Sequence, residues 1–253
     1  MNKRHNTFMV ALCLMICGCG SFAQQGVAEV QGPEGGILVE YDGFTVSYNP
    51  EHRIPNWVLY ELTSDETYGQ TQRNGKYFRP DESLWAKQAD DYDYRNSGWT
   101  RGHMAPAGDF KWSDDAMWDT FLFTNCCPQD EDLNGGQWNT LEKKVRDWAR
   151  KYGSVTVVTG PIIGENIYGT IGRNKVTVPD AFFKAVLAGD EAIAFVMYNR
   201  SSNANMQRCA ISIDDLEELT GIDFFTNLED NAEAEIEAEK QKIAIKNFRG
   251  IDK

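Results

Sequence analysis

Histidine is scarce in this 253-residue chain, which holds only His5, His52 and His103. Zinc hydrolases built on two or three imidazoles are disfavoured by that count, and no HExxH occurs. A GxSxG elbow is absent, so an α/β-hydrolase serine nucleophile has no support. Neither GxxxxGK[ST] nor GxGxxG is present, which argues against nucleotide-fuelled chemistry and a nucleotide cofactor. No CxxC pair is followed by a second pair, so no zinc site is expected from the cysteines. No apolar run reaches the roughly 18 residues of a membrane span. Positive charge is also short: 25 Lys and Arg against 38 Asp and Glu give a formal charge of −13. At first sight that deficit argues against a polyanionic partner.

What is present describes a globular chain. Hydrophobic residues make up 42% and charged residues 25%, and 13 Phe, 10 Tyr and 7 Trp suffice to build a core. The length fits one domain with a short leader. Lys3 and Arg4, the apolar run of residues 8–17 and the small residues after it read as a secretory signal over 1–23, with Ser21-Phe22-Ala23 before the cut. Ile16-Cys17-Gly18-Cys19 also fits a lipoprotein signal, which would anchor the chain through Cys19. Either reading predicts an exported protein, periplasmic or extracellular. Removing the leader leaves Cys126, Cys127 and Cys209, and export permits one disulfide between Cys209 and either of its vicinal partners.

The acid is unevenly spread. Residues 214–240 carry eleven carboxylates and one base, while Arg53, Arg73, Lys76, Arg79, Arg95, Arg101, Lys111, Arg146 and Arg150 fall in the middle of the chain. A local basic cleft is therefore compatible with the global deficit.

Residues 24–40 are Gly-rich and polar through about 37 and read as a linker. Alternation from Leu38 predicts two short strands around Asp42-Gly43, and residues 57–62 predict another. Residues 64–99 are polar and turn-rich, a long surface excursion of the kind that often carries function. Residues 155–159 predict a buried strand ended by Gly160-Pro161. Residues 182–187 and 192–198 predict a hairpin around Gly189-Asp190. Helices are expected over 136–152, 214–220 and, within an acidic C-terminal segment of 229–253, over 229–246. Strands and helices mix without βαβ regularity, so the expected class is α+β with a mostly antiparallel central sheet and flanking helices. In the 136–152 helix, Trp138, Leu141, Val145, Trp148 and Tyr152 form one apolar stripe. At about 100° per residue from Trp138, Glu142 and Arg146 lie on its flank, where a cleft wall would be.

Residues 98–110, GWTRGHMAPAGDF, hold the only plausible catalytic imidazole, since His5 leaves with the leader and His52 reads as a surface residue. Arg101 and His103 are two apart, so on an extended segment they face one side. Guanidinium beside imidazole suits phosphodiester cleavage, one holding phosphate and the other taking a proton from water. Residues 124–146 add Asn125, Asn134, Glu142 and Arg146. Asn134 reads either as a helix cap or as a neutral oxygen ligand to a hard cation. Glu142 and Arg146 read either as an i,i+4 ion pair or as site residues.

Together these residues resemble the DNA/RNA non-specific endonucleases of the ββα-metal (His-Me finger) class. The resemblance rests on Arg101-Gly102-His103-Met104-Ala105-Pro106-Ala107, on Thr124-Asn125 with Pro128-Gln129, on Leu133-Asn134 with Trp138 and Leu141-Glu142, and on Arg146. It extends to Val178-Pro179 with Lys184 and covers about residues 41–228, the expected nuclease domain. It implies His103 as general base, and Asn134 as the direct ligand to Mg²⁺ (Mn²⁺ as an alternative). Glu142 then holds metal-bound water, Arg101 and Arg146 clamp phosphate, and Asn125 supports the site. Arg73 resembles the family's upstream phosphate-binding arginine. Sequence-independent cleavage of DNA and RNA to 5′-phosphate ends follows from the resemblance. The alternative is a relative that keeps the fold as an acidic binding protein without turnover. One departure is Thr100, which stands where the family carries Asp.

Overall fold

A computed structural model describes residues 30–32, 35–189, 191–201 and 205–226. The leader and the expected 229–246 helix lie outside the described residues. In chain order the strands are β1 (Val30–Gln31), β2 (Ile37–Tyr41), β3 (Phe44–Asn49), β4 (Ile54–Thr63), β5 (Thr100–His103), β6 (Cys126–Gln129), β7 (Ser154–Ile162), β8 (Thr170–Ile171), β9 (Val176–Thr177), β10 (Ala181–Ala188), β11 (Glu191–Tyr198), β12 (Ala210–Ile211) and β13 (Asp223–Phe224). The α-helices are α1 (Asp91–Tyr94), α2 (Asp114–Asp119), α3 (Glu131–Leu133), α4 (Asn139–Tyr152) and α5 (Ile213–Thr220).

The centre is a seven-stranded sheet in the order β12-β11-β10-β7-β4-β3-β2, with every pairing antiparallel. The class is α+β, as expected. Its inner strands read as unbroken apolar runs because both faces are covered. Along β10, Phe182 and Val186 enter a large core that includes Trp138, Leu141, Val145 and Trp148 of the long helix. Phe183 and Ala185 point the other way, into a smaller core with Ile213 and Leu216 of α5. By the two-residue period, Lys184 lies on the helix side with Phe182 and Val186.

Several boundaries move. The sheet begins at Ile37, and β1 pairs with β13, so part of the expected linker is strand. β7 runs through Gly160-Pro161 to Ile162. Its pairing with β4 reaches only Thr159, so the missing N–H of Pro161 falls where β4 asks for no bond. The excursion of 64–99 is not simply surface, since Asp81, Ala89, Asp93 and Tyr94 are buried. Cys126, Cys127 and Cys209 are all free thiols, so the disulfide that export would permit is not formed.

Against this sheet sits a smaller unit, β5 paired antiparallel with β6 and followed by the helical run from Glu131 to Tyr152. His103 faces Cys126 and Thr100 faces Gln129 across the pair. The helical run is not uniform. Between α3 and α4, residues Asn134–Trp138 form a π-helical turn.

Candidate active site

β5, the excursion and the helical run wall a cavity of about 610 Å³, lined by Arg73, Thr100, His103, Lys111, Asn134, Glu142 and Arg146 among others. Five of the predicted residues thus meet in one place: Arg73, His103, Asn134, Glu142 and Arg146. Three cations (Arg73, Lys111, Arg146) face two carboxylates there (Glu131, Glu142), a local balance opposite to that of the whole chain.

His103 ends β5 and is 8% exposed. Phe78 packs at 4.7 Å between ring centroids and Phe121 at 4.9 Å, edge to face. Nε2 is buried there without a hydrogen-bond partner, so the ring meets the cleft by its other edge. Burial, and then the Arg73 charge, lower the imidazole to about 3. It is therefore neutral and keeps a lone pair at neutral pH. Gly102 before it is required by close approach: an added Cβ would meet Gln129 Oε1 at 2.3 Å and Gln129 Cβ at 2.7 Å, prising β5 from β6.

Asn125 does not line the cleft. Its buried amide accepts from Ala105 N (2.8 Å) and donates to Ala105 O (2.9 Å) and Thr120 O (2.9 Å). It pins the chain just after His103. Arg101 is also outside the lining. Its guanidinium donates to the Asp91 carboxylate (2.6 Å) and carbonyl (3.1 Å) and lies over the Tyr94 ring. Period-two reasoning puts Arg101 beside His103, but α1 packs against β5 and captures its charge. The expectation that Arg101 faces the same cleft is thereby corrected. His52 is half-buried and bonds Thr177 Oγ1 at 2.9 Å, a structural contact away from the cleft.

The π turn matters for Asn134. In a regular α-helix, eight residues would set Asn134 about 80° from Glu142. A turn closed by i→i+5 bonds rotates less per residue and swings Asn134 back toward the Glu142 face. Gly135 and Gly136, with open space around both, make the wide turn sterically free. The donor set fits a hard, largely hydrated divalent cation: a neutral amide oxygen and one carboxylate. Among the described residues there is no group of three His, Cys, Asp or Glu able to hold a metal.

Behind the cleft lies a charge cluster that sequence reasoning missed. Arg146 Nη1 pairs with the fully buried Asp109, which also accepts from Tyr60 Oη at 2.8 Å. Burial pushes the Asp109 carboxyl up, against the pull of Arg146 and Tyr60. Burial opposes the Arg146 charge, yet Asp109 more than offsets it and raises that group. Lys184 is wholly buried, with Nζ 4.8 Å from the Trp138 ring centroid and no hydrogen-bond partner. Burial lowers Lys184 and raises Glu142, each opposed by the other's charge. The signal for Asp109 was its isolation as an acid within MAPAGDF. Lys184 was marked only by its place in the family resemblance, which gave it no role, and by its position in an apolar strand.

A family model for DNA/RNA non-specific endonucleases matches residues 25–231. The chain belongs to the DNA/RNA non-specific endonuclease family. The mitochondrial nuclease EXOG of Danio rerio is 36% identical over 230 residues, covering 83% of this chain and 67% of that protein. The mitochondrial nuclease EXOG of Homo sapiens is 35% identical over 209 residues, covering 75% of this chain and 57% of that protein. A solved structure of the EndoG/EndoGI complex superposes with a TM-score of 0.71 at 29% identity, covering 76% of this chain and 86% of the other. The chain thus spans little more than half the length of human EXOG. Both curated relatives are named as mitochondrial, which gives the expectation of secretion no support. As a member of the endonuclease family the chain is a hydrolase by descent, and no helix among its described residues is long and apolar enough to cross a membrane.

Proposed function

We propose that this chain hydrolyses phosphodiester bonds of DNA and RNA without sequence preference, using a divalent cation, Mg²⁺ or Mn²⁺, and leaving 5′-phosphate ends. The observation that carries the reading is the convergence of His103, Asn134, Glu142, Arg146 and Arg73 on one cleft. The neutral imidazole of His103 accepts a proton from a water molecule as that water attacks phosphorus. The P–O3′ bond breaks and the departing oxygen takes up a proton from solvent. Arg146, held in place by Asp109, and Arg73, held over the Phe121 ring at 5.4 Å, neutralise the nonbridging oxygens. Asn134 would hold the cation directly and Glu142 through its hydration water, and the cation would supply neutralisation of charge on the phosphate and leaving oxygens. Arg101, whose charge is taken up by Asp91 outside the lining, is given no phosphate in this reading. Because such contacts fall on the backbone of the nucleic acid, recognition is blind to base sequence.

Residues 1–23 act, in this reading, as an export leader, with lipidation at Cys19 as the alternative that an intact mass of the mature N-terminus decides. The decisive assay incubates the mature chain with plasmid DNA and with RNA, across Mg²⁺, Mn²⁺ and EDTA. Cleavage of both polymers only with metal is expected. No cleavage with any divalent metal overturns the reading in favour of a binding protein without turnover.

A further inference from the structure

Thr100 does more than replace an aspartate. Its hydroxyl sits between two groups whose hydrogen-bonding options are fixed. On one side the carbonyl of Gln129, across the β5–β6 pair, can only accept, and Thr100 Oγ1 donates to it at 2.8 Å. That donation consumes the single hydroxyl proton. On the other side Oγ1 therefore has only lone pairs to offer, and the group it meets at 3.0 Å must donate: Asn134 Nδ2. An amide whose –NH₂ is committed in this way presents its Oδ1 elsewhere. The side chain belongs to the cavity wall.

From this relay we infer that Thr100 is a positioning residue that fixes the flip state of the Asn134 amide, so that a hard cation meets oxygen and never nitrogen. The inference rests on the proposed metal-dependent function. Without the hydroxyl, the two orientations of the amide approach equal energy at the β5 side, and an –NH₂ turned into the cleft repels a cation. The backbone supports the same arrangement. β5 and β6 hold Gln129 O in register with Thr100, and the π turn puts the Asn134 amide within reach of the hydroxyl. A hydroxyl carries no charge at any working pH, so the orientation it imposes does not titrate.

The test measures Mn²⁺ binding directly, by calorimetric titration of the mature chain, beside the rate as a function of metal concentration. Four proteins are compared: wild type, Thr100→Ser, Thr100→Val and Thr100→Ala. Outer partners of metal ligands typically contribute roughly 10–100-fold to affinity. Thr100→Val and Thr100→Ala are expected to weaken Mn²⁺ binding by about that factor. Thr100→Ser is expected to bind as wild type, and saturating metal should return the rate of the alanine variant to within a few-fold of wild type. Should the valine variant fail to fold, the alanine variant, which adds no bulk beside Gln129, carries the test. Wild-type affinity in both hydroxyl-less variants overturns the inference while leaving the metal reading intact. Absence of Mn²⁺ binding by the wild-type chain, or undiminished binding by Asn134→Ala, overturns the metal reading itself.

Discussion

At His103 the aromatic clamp acts on catalysis and on stability, and the two effects separate in experiment. Removing the imidazole by His103→Ala is expected to lower the cleavage rate by about 10²–10⁴, the usual contribution of a positioned acid–base group, in a plasmid-nicking assay. Stability should respond to pH in a defined window. The folded chain protonates His103 only near 3, whereas an unfolded chain does so near 6.5. Between those values the unfolded state binds a proton that the folded state refuses, so stability falls as pH drops from 6.5 toward 3. Urea midpoints measured across that range should decline for wild type and decline less for His103→Asn. Lys184 is the second residue whose burial predicts a separable effect. It is the one cation of the cluster without a hydrogen bond or ion pair, facing Glu142, Asp109 and Arg146. Lys184→Met removes a charge that opposes the upward push of burial on Glu142, so the activity optimum should move to higher pH. The melting temperature should hold or rise, because an apolar side chain replaces a buried ammonium without hydrogen bonds.

At the scale of elements, the π turn of Asn134–Trp138 exchanges local stability for geometry. Two glycines in a helical run cost about 0.5–1 kcal/mol each relative to alanine, and nothing around either position would obstruct a methyl group. The double change Gly135→Ala, Gly136→Ala is therefore expected to raise the melting temperature by a few degrees. By favouring a regular α-helix it should also turn Asn134 away from Glu142 and weaken metal-dependent activity. Thermal melts and metal titrations on the same variant distinguish this outcome from simple stabilisation, in which the rate would hold.

For the whole molecule, the conflict between an acidic chain and a polyanionic substrate is settled by distribution. The cleft gathers Arg73, Lys111 and Arg146, while eleven carboxylates lie within residues 214–240. Two or three phosphate contacts give a salt slope near −0.9 per contact, so a rise from 50 to 200 mM salt should lower kcat/KM by roughly ten- to forty-fold. A log–log plot of the rate against salt checks the slope, and a flat line would mean that these cations do not meet phosphate.

The class, the long helix and one flank of the cleft were legible in residue order because they rest on local rules, whereas the parts given to Asn134 and Arg73 came from the family resemblance. Period 3.6 placed Glu142 and Arg146 on the flank of a buried stripe, and β-branched runs marked the sheet. His103 stood out by elimination in a chain with so few imidazoles. Local rules failed where a distant segment decides the outcome. Nothing near Arg101 in sequence announces that Asp91 takes its charge. No spacing pairs Asp109 with Arg146, or sets Lys184 beneath Trp138 (46 positions earlier in the chain). Those contacts depend on which strands are neighbours and how the helix lies across them. Composition and periodicity determined what this chain is made to bury and what it can bring to a phosphate. Only the packed structure decided which charges are free to act, because a charge is defined by its surroundings, and those come from every part of the chain.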